Sequence, residues 1–160
     1  LLAARTLSPV ELADALIRRV EQDDAQIHAF ITPTFDLARR QARQAEAEIA
    51  AGNSRGALHG IPVALKDIYD TKGILTSGHS RVFIDRIPTE DATATRRLHE
   101  AGAVLLGKLA THEMAHGDAG TGRDPAGCVR GPAARKAVEN ELAGLFRQLL
   151  DRQARERRQP

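Results

Sequence analysis

Three groups of residues in this 160-residue sequence have the types and spacing for chemistry. The first is Lys66, which closes the apolar run Ile61-Pro62-Val63-Ala64-Leu65. That run reads as a short strand buried on both faces. Reactive groups of open α/β sheets lie just past the carboxyl ends of strands, and Lys66 is placed that way. Taken alone, it could equally be a solvated lysine that returns the chain to water. The second group is the small-residue stretch Thr76-Ser77-Gly78-His79-Ser80. Its backbone amides could approach a ligand closely, or it could be a plain loop. The third is His112-Glu113-Met114-Ala115-His116, a literal H-E-x-x-H string. In that pattern two histidines one helical turn apart bind zinc and the glutamate activates water. Gly107 and Gly117 bracket the string and leave room for only a short helical turn. Glu139 and Glu141 are third-ligand candidates that no motif marks. A small zinc hydrolase is therefore kept as an alternative only.

Several elements must position these groups. Ser8-Pro9-Val10-Glu11 is a helix start, with a capping serine, proline in the first turn and a glutamate able to reach back. Leu12, Leu16, Ile17 and Val20 recur on one face, which predicts an amphipathic helix over 8–24. Ile27 to Thr32 is a short strand candidate ended by Pro33. Phe35 to Ala51 is helical by composition and closes at Gly52-Asn53. Beyond the Lys66 strand, Thr89-Glu90-Asp91 offers a cap and Ala92 to Ala101 reads as a helix stopped by Gly102. Ala103 to Gly107 is a second apolar strand. Strand, crossover helix and strand then make a parallel βαβ unit.

Composition narrows the function classes. Hydrophobic content of 42% and charged content of 28% are ordinary for a soluble domain. Aromatics at 3% argue against a base-stacking platform for nucleic acid. Cys128 stands alone, which excludes an internal disulfide and fits a reducing, cytoplasmic setting. No apolar stretch approaches membrane-spanning length, and no secretion-signal pattern opens the chain. The first residue is not methionine, so the front reads as trimmed or incomplete. Net charge is +2, with 14 basic and 15 acidic side chains in residues 1–117 against 9 and 6 in residues 118–160. That asymmetry describes a solvated basic tail better than a nucleic-acid surface.

The run Gly56-Ala57-Leu58-His59-Gly60-Ile61-Pro62-Val63-Ala64-Leu65-Lys66-Asp67 is followed in order by the Thr76–Ser80 loop, by Asp91-Ala92-Thr93 and by Ala101 to Lys108. His112-Glu113-Met114-Ala115 comes next. Together these blocks resemble the N-terminal part of the amidase signature family, from about Ser8 to Gly117. That family includes general amidases and the A subunit of the aspartyl/glutamyl-tRNA amidotransferase. The resemblance implies an amide hydrolase with a Ser–Ser–Lys arrangement, whose lysine matches Lys66. It implies no cofactor and no metal. A desolvated lysine loses proton affinity and can serve as a general base near neutrality. Such a base activates a serine hydroxyl, and backbone N–H groups hold the oxyanion.

The family's serines lie in a glycine- and serine-rich segment beyond the His-Glu block. The serines here are Ser8, Ser54, Ser77 and Ser80, and none follows Ser80. Neither catalytic serine can be carried over, so the isolated chain is expected to be inactive. The resemblance is expected to end after Gly117, with a Gly/Pro-rich linker over 118–132 and an amphipathic helical tail over 133–160. In the tail Val138, Leu142, Leu145, Phe146, Leu149 and Leu150 share one face. The expected fold class is thus α/β: an incomplete amidase-signature mixed sheet with flanking helices and a C-terminal amphipathic helix. A non-catalytic remnant or interaction module with the same partial fold is the second reading. Expected partners are a small amide substrate if the site is completed, and self-association through the truncated sheet or the tail helix; no membrane is implied.

Overall fold

Ser8 starts the first helix in the way its type dictates. In the computed structural model, which describes residue 2 and residues 5–116, its hydroxyl oxygen accepts the backbone N–H groups of Val10 and Glu11 at 3.0 and 3.2 Å. The same hydroxyl donates to the Glu46 carboxylate, fastening the cap to the next helix. Helix α1 spans Pro9–Ile27, so it continues past the expected end at 24. It stops at His28, which adopts a left-handed φ of 51° and returns its N–H to the Asp24 carbonyl. The Asp24 carboxylate then takes the amides of Ala29 and Phe30 at 2.7 and 3.2 Å. This local bonding holds the chain in a C-cap over residues that the sequence pattern assigns to a strand. Strand β1 accordingly begins later, as Phe30–Pro33.

Helix α2 spans Phe35–Ala50. It packs on α1, where Leu12, Ala13, Leu16 and Ile17 are buried, and contributes Ala38, Ala42, Ala45 and Ile49. Alanines on the α2 face allow close approach, while Leu12 and Ile17 fill the interface. Each of those two side chains, fully buried, is worth about 1.5–3 kcal/mol relative to exposure.

Strand β2, Pro62–Lys66, and strand β3, Val104–Leu109, are joined through helix α3, Thr93–Glu100. The sheet order is β1-β3-β2; β2 runs parallel to β3 and β1 antiparallel. The expected parallel βαβ unit is present. The expectation that Ile61 to Leu65 is buried on both faces does not hold. Of β2 only Leu65 is buried, whereas Val104 to Lys108 are all buried. The reason is position: among the described strands β3 is central and β2 lies at an edge.

The centre of the sheet is irregular, and side chains absorb the irregularity. Register slips between Val63 and Ala64, so β3 holds an extra residue there. The Leu105 N–H beside the slip donates to Gln41 Oε1 of α2 at 2.8 Å. Thr34 donates its hydroxyl to the Leu105 carbonyl and its N–H to that of Leu106, both at 2.9 Å. Gly107 sits at φ 153°, where an added Cβ would lie 2.6 Å from the Thr32 carbonyl oxygen. Only glycine lets β1 approach so closely.

Helix α3 is capped differently from the expectation. Its N-cap is Ala92, which makes no side-chain bond. Asp91 instead accepts the Lys72 N–H at 2.7 Å and braces the loop after β2. The linker and tail expected over 118–160 lie outside the described residues. No helix among those described is long and apolar enough to cross a membrane.

Candidate active site

Alternation at the end of β2 decides which side chains meet. Leu65 and Asp67 are buried and Lys66 between them is exposed, the period-two pattern of an extended chain. Lys66 is the final residue of the strand, in register with Leu109 of β3. It therefore occupies the carboxyl end of a parallel strand, as the sequence suggests. It is not itself the sheltered lysine. That residue is Lys108, at 0% exposure.

Lys108 is the group that sequence reasoning passed over. The signal was present, a lone cation inside the apolar run Val104-Leu105-Leu106-Gly107-Lys108-Leu109, where solvent exposure is hard to arrange. Its ammonium has three proton donors, with two hydrogen-bond acceptors and one ion-pair partner in reach. These are the Tyr69 carbonyl at 2.8 Å, Thr76 Oγ1 at 2.6 Å and Asp67 Oδ1 at 3.3 Å. Burial pushes the Lys108 ammonium below the ordinary lysine range, and the Asp67 carboxylate opposes that fall. Asp67 is also buried, at 1% exposure. Its other oxygen, Oδ2, accepts the Ser77 N–H at 3.0 Å and the Ser77 hydroxyl at 2.8 Å.

The Thr76–Ser80 loop has no free amide to offer. Thr76 donates its N–H to the Arg86 carbonyl, Gly78 to the Asp67 carbonyl and Ser80 to the Ser77 carbonyl. Ser77 gives its amide to Asp67 Oδ2, and His79 gives its own to Ser77 Oγ. The loop is thus a plain, internally bonded turn rather than an amide cradle. Two of its backbone donors, those of Ser77 and Gly78, go to Asp67, and the other three go to Arg86 and Ser77.

Every serine in the chain has a structural partner. Ser8 caps α1, and Ser54 Oγ accepts the Gly56 N–H at 3.4 Å. Ser77 donates to Asp67. Ser80 donates to Glu113 Oε1 at 2.7 Å. That last bond also bears on the H-E-x-x-H string. Glu113–Ala115 forms a single 3₁₀ turn, with Met114 and Ala115 at φ 50° and 58°. The string is therefore not carried on an α-helix, and its glutamate is held by Ser80. Among the described residues no group of three His, Cys, Asp or Glu side chains is arranged to hold a metal.

A cavity of about 250 Å³ opens beside this network, lined by Asp67, Thr76, Ser77, Phe83, Arg86 and Met114. Arg86 forks onto Asp70 at 2.6 and 2.7 Å and holds that carboxyl below its usual range. Elsewhere His59 pins α2 to the entry of β2. Its Nδ1 accepts the Arg55 N–H at 3.0 Å, which leaves Nε2 to donate toward Glu48 at 3.1 Å. Hydrogen bonds from Arg55, helped by Gln44, lower the Glu48 carboxyl to about 2. His59 packs against Gly102, where a Cβ would lie 2.3 Å from the ring, so its place is structural.

This α/β frame, with a lysine at the end of one parallel strand and a second lysine buried in the next, belongs to the amidase family. The family model described as Amidase matches residues 11–139. Among individual relatives, the A subunit of glutamyl-tRNA(Gln) amidotransferase from Azotobacter vinelandii is 48% identical over 118 residues, 74% of this chain and 24% of that protein. Its counterpart from Trichlorobacter lovleyi is 41% identical over 157 residues, covering 90% of this chain and 32% of its own length. Among solved structures, native peptide amidase from Stenotrophomonas maltophilia superposes with a TM-score of 0.65 at 35% identity, over 69% of this chain and 23% of that one. A chain from a vestigial protein complex, reported for the origins of an s-triazine catabolic enzyme, gives 0.75 at 29% identity over 82% of this chain and 29% of that one. The chain spans about a quarter to a third of the length of these relatives. The family-model match runs on to residue 139.

Proposed function

We propose that this chain supplies the lysine-bearing portion of an amidase-signature amide hydrolase, with Lys66 as general base. The observation that carries the proposal is the placement of Lys66. It stands at the carboxyl end of β2 and faces away from the dry Asp67–Lys108 pair, so its amine is open to hydroxyls brought from elsewhere. In the proposed reaction a serine hydroxyl adds to the amide carbonyl, and its proton passes through a second serine to the Lys66 amine. The C–N bond then breaks as the leaving nitrogen takes up that proton, and water releases the acyl group. Lys66 must be desolvated to serve at neutral pH. Packing of further family structure over its exposed face would do this. Both serines would come with that same structure, because none follows Ser80.

The substrate class is an amide, in line with the names of the relatives. A tRNA-linked amidation within an assembly of several proteins enters by analogy with the amidotransferases alone. A cytoplasmic setting agrees with the single Cys128.

The test is a chimera in which residues 8–116 of this chain replace the matching stretch of the Azotobacter vinelandii protein. Amide hydrolysis is expected, and Lys66→Ala should lower kcat by at least about 100-fold, the lower range for a general base. A folded, active chimera indifferent to Lys66→Ala would remove Lys66 from the mechanism. A second reading, a non-catalytic interaction module, is favoured by one observation: each serine of the chain already has a structural partner. It requires that the chimera, though folded, hydrolyse nothing.

A further inference from the structure

Lys66 has no side-chain anchor of its own among the hydrogen bonds described, so its aim depends on the backbone that carries it. That backbone is gripped immediately downstream. The Asp67 N–H donates to the Leu109 carbonyl at 3.0 Å, and the Asp67 carbonyl accepts the Gly78 N–H at 3.0 Å. Two residues on, the Tyr69 carbonyl accepts from Lys108. The Asp67 carboxylate and the Lys108 ammonium sit between these bonds, both essentially without solvent exposure. One buried cation thereby ties the turn after β2 to Thr76, and one buried anion ties it to Ser77.

Energy alone does not account for such a pair. Desolvating two charges offsets most of their attraction, and well-packed apolar residues of similar volume often serve stability equally well. Direction is what the pair supplies that methylenes cannot. Four hydrogen bonds converge on it, one from the post-β2 turn and three from the Thr76–Ser77 loop.

We propose that Asp67 and Lys108 are positioning residues, a dry ion pair that fixes the strand terminus from which Lys66 is presented to substrate. This rests on the reading of Lys66 as general base, yet it makes its own measurable claim on the chain as it stands. Both side chains are essentially without solvent exposure, so neither is assigned a contact with substrate. Each acts through the backbone of residues 66–69 and through the loop closed around Asp67.

Amide hydrogen exchange on the full 160-residue chain tests the claim. Asp67→Asn is expected to reduce protection at Asp67, Ser77 and Gly78 by at least about tenfold, while Leu12, Ile17 and Ala42 keep theirs. Because a single variant leaves one charge buried alone and could unfold, the double variant Asp67→Asn/Lys108→Met is measured beside it. The double variant should recover most of the urea midpoint and still lack the local protection. Uniform loss of protection, or recovery of local protection together with stability, would reduce the pair to a structural filler and overturn the inference. Carried into the chimera, the double variant should lower kcat about 100-fold with KM unchanged, the scale expected for a misplaced catalytic group. An unaltered kcat in a chimera that does depend on Lys66 overturns the inference and spares the Lys66 reading. A chimera indifferent to Lys66→Ala overturns that reading, whatever the exchange data show.

Discussion

Two lysines in one small sheet have opposite fates, and the residue-scale physics follows from where each falls in the alternation. Lys66 lies between two buried residues and is exposed; Lys108 lies in a wholly buried stretch of the central strand. The Lys108 ammonium is held below the ordinary range by burial, so its proton affinity in the folded chain is lower than in the unfolded one. Between the lowered value and the ordinary value of 10.5, the unfolded chain binds more protons. The contribution of this group to stability therefore rises with pH through that window. In the double variant Asp67→Asn/Lys108→Met the rise should vanish, which urea unfolding at a series of alkaline pH values will read. Lys108→Met alone leaves the Asp67 carboxylate buried without its cation and should cost about 3–5 kcal/mol. A loss below about 1 kcal/mol would mean that Asp67 is solvated in the variant. The position of Lys66 was legible in the sequence, because strand ends are marked by where apolar runs stop. The burial of Lys108 was legible only as an oddity, since a cation inside an apolar run names no partner.

At the scale of elements, local chemistry set the helices and tertiary contacts set the sheet. Ser8 and Pro9 start α1 as capping rules require, and α2 follows from composition. The misplaced boundary at β1 has a local cause, the Asp24 carboxylate that captures the amides of Ala29 and Phe30. The pairing of β1 with β3, by contrast, depends on contacts between segments far apart in sequence, Thr34 with Leu105 among them. Gly107 is the hinge of that pairing. Gly107→Ala would set a Cβ 2.6 Å from the Thr32 carbonyl oxygen and 3.0 Å from Pro33 Cα. Backbone atoms cannot yield as a flexible side-chain tip can, so β1 must move. The expected loss is about 1–3 kcal/mol, the usual range for overpacking. Exchange protection should fall first at Thr32 and at the β3 amides that face it. A variant as stable as the parent, with β1 still paired, would show that the close approach is not obligatory.

For the whole molecule, the governing relation is between a base and the hydroxyls it needs. Ser8, Ser54, Ser77 and Ser80 are bonded to a helix start, a turn, Asp67 and Glu113 respectively. The isolated chain should therefore show no turnover and no acyl-enzyme burst with simple or activated amides. A burst abolished by Ser77→Ala or Ser80→Ala would assign a nucleophile to this chain and end the proposal that hydroxyls come from elsewhere. Membership of the amidase family was readable from ordered blocks in the sequence. So were the starts of α1 and α2, the parallel βαβ unit and the place of Lys66, because all of these depend on neighbours close along the chain or on periodicity. The tertiary structure alone decided that β3 is central among the described strands, that Lys108 rather than Lys66 is buried, and that the Thr76–Ser80 amides turn inward. Those outcomes depend on which distant segments meet, and a one-dimensional pattern records the demand for burial without naming the partner that meets it.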